Sequence, residues 1–111
     1  MRPDVQSATD RVIAIRARLR RDPGRESSLD ETEDALSEGY AQALAGDAWL
    51  AQTEQRLHEL IDDASIPVRG RDLRVLVHDH GEIERCVIEL RRELEGLRRE
   101  HERLHERSHS N

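Results

Sequence analysis

The chain has 111 residues, of which 38% are charged and 35% hydrophobic, and its net charge is −6. A chain of this size and composition can form only a small core and is typical of long helices, not of a globular α/β enzyme. Trp49 and Tyr40 are the only aromatic residues, which argues against the bulky lining that a large cofactor pocket usually has.

The expected cellular location follows from the cysteine count and the apolar patterning. The single Cys86 cannot form an intrachain disulfide, as is usual in a reducing cytoplasm. Residues 1–4 lack the apolar run of a signal peptide, and no stretch approaches the roughly 18 apolar residues that span a bilayer. All basic residues are Arg, which we attribute to the codon bias of a GC-rich genome. We therefore expect a bacterial, cytoplasmic protein without membrane association.

Helix 1 is predicted at about residues 4–21. Pro3 suits the start of a helix, and the sequence Asp22-Pro23-Gly24 is typical of a helix end followed by a reversal. Its apolar stripe has 3–4 spacing, with Ile13 widening it, and consists of Val5, Ala8, Val12, Ile15 and Leu19.

Helices 2 and 3 are predicted at about residues 28–64 and 72–107, followed by a frayed tail at 108–111. Ser28 and Glu31 form a capping box at the start of helix 2, and Asp72 is the expected cap of helix 3. Nearly equal lengths with a short connection predict an antiparallel hairpin.

Each of these two helices carries an apolar seam with strict 3–4 spacing, the pattern of a coiled coil. The antiparallel register that aligns both seams places Leu57 opposite Leu76 and Leu36 opposite Leu97. The predicted fold is thus all-α: a long antiparallel two-helix coiled-coil hairpin preceded by a shorter N-terminal helix. The seam of helix 2 consists of Leu29, Thr32, Leu36, Gly39, Ala43, Gly46, Leu50, Thr53, Leu57, Leu60 and Ala64, and that of helix 3 of Leu73, Leu76, His80, Ile83, Val87, Leu90, Leu94, Leu97, His101 and Leu104.

Two polar layers interrupt the apolar seam. The register places Thr53 opposite His80 and Thr32 opposite His101. Polar residues at seam positions commonly fix the register at a cost in stability, and we favour that role here. A pH-sensing role for the two histidines is the alternative, because imidazole titrates near neutrality.

The middle of the hairpin is thin. Gly39, Ala43 and Gly46, the close-packing waist, place small residues on helix 2, and two helices with such a waist bury little apolar surface. Either helix 1 or a second chain must complete the core, and we expect a homodimer. A parallel dimer through helix 3 remains an alternative, since Glu93 and Arg98, and Glu100 and His105, have suitable spacing.

Charge is distributed unevenly along the chain. Residues 1–28 carry +3, residues 29–64 carry −9, and the remainder is neutral. We expect helix 1 to lie beside the acidic residues of helix 2, and these also form a candidate surface for a basic partner. The arginine run could contact nucleic acid, but the net charge and the lack of interleaved aromatic residues argue against this. The acidic surface consists of Asp30, Glu33, Asp34 and Glu38. The arginine run consists of Arg16, Arg18, Arg20, Arg21 and Arg25.

The C-terminal tract contains His101-Glu102-Arg103-Leu104-His105, which matches the zinc-protease pattern H-E-x-x-H. His101 is needed at a seam position, and no further ligand domain or substrate cleft accompanies the pattern. Catalysis is therefore not expected, and no cofactor is predicted. Weak metal binding by His105 and His109, one helical turn apart, is a secondary hypothesis.

Residues 29–40, LDETEDALSEGY, followed by residues 56–61, RLHELI, are similar to antiparallel helical-hairpin proteins of actinobacteria, including cyclic-di-GMP-responsive anti-sigma factors. The helices of those factors carry the motif E-x3-S-x2-R-x3-Q-x3-D, and Glu33 and Ser37 match its first two positions. The resemblance implies a helical hairpin and regulation of transcription. It does not extend to dinucleotide binding, because the chain departs from the motif's Arg, Gln and Asp with Tyr40, Leu44 and Ala48.

The sequence thus favours a non-enzymatic protein–protein interaction module, a small bacterial adaptor or regulator. An anti-sigma-like regulator whose acidic helix 2 binds a basic partner is the alternative. A metal-binding protein acting through the His tract is a more remote one.

Overall fold

The structure, a computed structural model, describes residues 2–21, 27–62 and 70–109. These ranges contain three α-helices and no strand: α1 (Val5–Arg21), α2 (Ser27–Asp62) and α3 (Gly70–His109). The two long helices contact each other and α1 contacts both, which confirms the predicted all-α hairpin preceded by a shorter helix. The molecule measures 69 × 20 × 18 Å, and its radius of gyration is 18.8 Å, against about 13 Å for a compact domain of this length.

The helix starts differ slightly from the prediction. The Asp4 carboxylate accepts a hydrogen bond from the Ser7 amide at 3.1 Å, so Asp4 caps α1 and the helix begins at the next residue. Helix α2 begins at Ser27, one residue earlier than predicted. Because α3 begins at Gly70, Asp72 lies in its first turn and is not the cap. A carboxylate there still interacts favourably with the helix dipole.

The helix ends were only partly predictable. The helical backbone of α3 continues to His109, two residues beyond the predicted end at residue 107, and fraying of the tail stays a prediction. No Gly or Pro follows Gly96, and the sequence therefore contains no strong stop signal in this region. The predicted end of helix 2 at residue 64 and the remainder of the tail lie outside the described residues.

Close contacts at the waist define the pairing of α2 with α3. A Cβ atom added to Gly46 would lie 2.5 Å from Val87 Cγ2, and one added to Gly39 would overlap Leu94 Cδ2. These are the neighbours that the predicted register gives to the two glycines, and they show that the helices run antiparallel. Glycine lets the backbone of α2 approach the large side chains of α3. Leu90, Leu94 and Leu97 are completely buried as a result.

Helix α1 packs along the half of the hairpin that is distant from the α2–α3 connection. Arg11 pairs with Glu38 and Arg18 with Glu31, so α1 runs antiparallel to α2. The predicted stripe needs one correction: Ile13 is 42% exposed, and Thr9 is buried instead. The Thr9 hydroxyl donates to the Val5 carbonyl oxygen at 3.0 Å, which satisfies its polar group inside the apolar stripe.

Candidate functional site

The half of the hairpin next to the α2–α3 connection extends beyond α1. At the N-terminal end of α1, Val5 lies at the level of Gly46, and Arg2 reaches Asp79 on α3 with an N–O distance of 3.6 Å. The part of the hairpin that lies beyond the N-terminal end of α1 is here called the open half. It consists of residues 50–62 of α2 and 70–78 of α3. Two helices alone leave part of each seam side chain accessible.

The open half consequently exposes apolar surface. Its seam leucines are only partly buried, whereas Leu90, Leu94 and Leu97 beside α1 are completely buried. At the far end of the hairpin, Leu29, Leu36 and Leu104 are partly buried as well. Ile61 is 67% exposed and Val77 is 54% exposed, and the register places these two residues on the same flank of the seam. The partly buried leucines are Leu50, Leu57, Leu60, Leu73 and Leu76.

At the polar layers the imidazoles reach glutamates. Thr32 and Thr53 are buried, as suits seam positions, and the histidines are partly buried. His80 Nε2 lies 3.0 Å from Glu54 Oε1, and His101 Nε2 lies 3.7 Å from a carboxylate oxygen of Glu33. In each layer the carboxylate belongs to the residue that follows the threonine. A register-setting role for the threonines and histidines stays a prediction.

A further cluster of possible metal ligands lies beside the polar layer of Thr53 and His80. Ligand atoms of Glu54, His80 and Glu84 all lie within 4.8 Å of one another. His80 and Glu84 are one helical turn apart on α3, and Glu54 comes from α2. Sequence reasoning missed both glutamates, although the seam register already places Glu54 opposite Glu84 on the flank that α1 does not cover.

The neighbouring charged pair on this flank is complementary. Arg91 donates to Asp47, with one N–O distance of 3.1 Å and a second, shorter contact. These hydrogen bonds raise the pKa of Arg91 above its ordinary value. The pairing of Glu54 with Glu84 differs from it, since both groups carry negative charge.

The arginine run of α1 is only partly paired with acidic α2. Arg18 contacts Glu31 as expected, but Arg16 hydrogen-bonds Glu93 at 2.8 Å and Glu100 at 3.1 and 3.2 Å on α3. Gly96 makes room for this guanidinium, because a Cβ there would lie 2.5 Å from Arg16 Cζ. Burial lowers the pKa of Arg16, but hydrogen bonds and attraction from both glutamates outweigh it, so the pKa is raised.

The acidic surface predicted on α2 is partly occupied. Glu38 pairs with Arg11 and Glu33 lies near His101, whereas Asp30 and Asp34 are exposed. His105 and His109 lie in the helical backbone of α3, but their side chains fall outside the described part. Metal binding by the C-terminal tract therefore stays a prediction.

Comparison of the chain with protein-family models, curated proteins and solved structures finds no match. No helix in the described part of the chain has an apolar stretch long enough to cross a bilayer.

Proposed function

We propose that the protein is a non-enzymatic protein–protein interaction module, a small cytoplasmic adaptor or regulator of bacterial origin that pairs with a second copy of itself. The main support is the open half, where seam leucines are partly exposed and Ile61 and Val77 are largely exposed. Burying one such side chain contributes about 1.5–3 kcal/mol. Docking another pair of helices here would complete the core of the hairpin.

A second copy suits this surface in shape. Two open halves related by a two-fold axis would form a short four-helix layer, with the same residues contributed by each chain. Thirteen residues of α2 give this layer a length of about 20 Å. In each chain, the part of the hairpin distant from the α2–α3 connection would keep its own packing of α1 against α2 and α3.

The charge of the surface also suits self-association. Residues 50–62 and 70–78 together contain four acidic residues and three arginines, so two copies would meet without strong repulsion. By contrast, residues 29–49 contain six acidic residues and no arginine. Pairing through that segment would bring like charges together.

Sedimentation at micromolar concentration should therefore show a dimer, and Val77→Glu should weaken it about tenfold or more, since 1.4 kcal/mol corresponds to a factor of ten. Ile88→Glu is the matched control, because Ile88 is 53% exposed but lies outside the open half. A compact monomer at this concentration would contradict the proposal. Equal weakening by both variants would show that the dimer uses another surface.

The anti-sigma-like alternative makes use of a different surface. Asp30 and Asp34 are exposed on α2, where a basic partner could approach. In pulldowns from the native organism, Asp30→Asn combined with Asp34→Asn should reduce recovery of a basic regulator such as a sigma factor. The same variant should leave self-association unchanged, which separates the two functions.

A further inference from the structure

We propose that Glu54, His80 and Glu84 form a site for one zinc ion, which links α2 to α3 at the edge of the open half. The two α3 residues are spaced by four positions, so both side chains lie on one face of the helix. Glu54 completes the set from the other helix. This site is separate from the C-terminal His tract.

The distances permit coordination without movement of the backbone. Ligand atoms of the three side chains already lie within 4.8 Å of one another, and His80 Nε2 is 3.0 Å from Glu54 Oε1. Zinc bonds of about 2.0–2.2 Å in tetrahedral geometry require ligand atoms about 3.3 Å apart. The side chain of Glu54 is 57% exposed and Glu84 is also exposed, so both carboxylates have room to rotate inward.

The local electrostatics favour a cation at this place. Glu54 and Glu84 bring two carboxylates together beside one imidazole, whereas the next charged pair along the flank, Asp47 with Arg91, is complementary. Like charges on adjoining helices repel each other. A divalent ion would convert this repulsion into two favourable contacts.

The donor set indicates the class of metal. One imidazole nitrogen and two carboxylate oxygens are ligands that zinc accepts, and three protein ligands leave a fourth position for water. His80 is anchored because its side chain is only 17% exposed, which limits the directions that the ring can take. The ion would thus bind the paired helices and stabilise the hairpin over the unfolded chain.

The test is calorimetric titration of the full chain with zinc chloride, using His105→Asn/His109→Asn protein so that the tail imidazoles do not compete. We expect one ion per chain, and a loss of affinity of about tenfold or more in each of Glu54→Gln, His80→Asn and Glu84→Gln. Cobalt should give a visible absorption band that His80→Asn abolishes. The melting temperature should rise on addition of zinc only when all three ligand residues are present.

His78→Asn is the matched control. His78 and Glu82 have the same spacing on α3, with an N–O distance of 3.6 Å, but Glu82 is held at 3.1 Å by Arg2, which precedes α1. We expect His78→Asn to bind zinc like its parent. Equal losses in His78→Asn and His80→Asn, or no saturation below about 1 mM zinc, would overturn the proposal and leave an ordinary hydrogen bond between His80 and Glu54.

Discussion

Leu94→Ala should lower the free energy of unfolding by about 2–5 kcal/mol, and Gly39→Ala should restore part of this loss when the two are combined. Leu94 is completely buried, and its side chain occupies the space that a Cβ of residue 39 would need. Truncating Leu94 opens a cavity at that point. A methyl group on α2 would then fill part of it.

The sign of the Gly39→Ala effect should reverse between the two backgrounds. In the wild-type protein the added methyl overlaps Leu94, and overpacking costs about 1–3 kcal/mol, which exceeds the gain of at most about 1 kcal/mol in helix propensity. In Leu94→Ala protein, both the packing of the added methyl group and the helix propensity favour alanine at position 39. Urea unfolding followed by circular dichroism, at one fixed protein concentration, measures the free energy of unfolding of the wild-type protein, the two single variants and the double variant.

Gly81→Ala is the control for helix propensity. A Cβ at Gly81 meets no atom within 4 Å, so alanine should stabilise the protein by about 0.5–1 kcal/mol in either background. If Gly39→Ala behaved like Gly81→Ala throughout, the close approach of Gly39 to Leu94 would not be a feature of the folded protein.

The sequence predicted the hairpin well because its register depends on one repeated spacing. Aligning the two seams places Gly46 opposite Val87, and the structure has the same neighbours. The position of α1 followed from its length and from the acidic start of α2. These features are set by periodicity and charge, both of which can be read along a single helix.

The remaining features depend on contacts between the helices, which periodicity along a single helix does not show. Thr9 is buried because its hydroxyl bonds within the helix, a possibility that apolar patterning does not register. Arg16 reaches α3 because Gly96 provides space there. The register alone places Glu54 opposite Glu84, but the exposure of this pair on a flank without a third helix follows only from the position of α1.

Arg16→Met should destabilise the protein by about 1–3 kcal/mol, less than for a fully buried ion pair because the site is partly accessible. The side chains of Arg16, Glu93 and Glu100 are 20%, 23% and 19% exposed. Removing the guanidinium leaves two carboxylates close together with only partial access to water. Chemical unfolding of the single variant measures this loss.

Two further variants determine whether the loss comes from uncompensated charge. Arg16→Met combined with Glu93→Gln and Glu100→Gln should recover most of the stability, because the two carboxylates that lose Arg16 are then neutral. Arg20, which lies 3.9 Å from Glu100, is 67% exposed and loses only a surface contact. Arg11→Met is the matched control on the same helix, since the Arg11–Glu38 pair is 43% and 59% exposed and such surface pairs contribute at most about 1 kcal/mol. If Arg11→Met and Arg16→Met were equally destabilising, partial burial at Arg16 would have no energetic consequence. If the triple variant were no more stable than Arg16→Met, the loss would come from the packing of the arginine stem beside Gly96 and not from the two carboxylates.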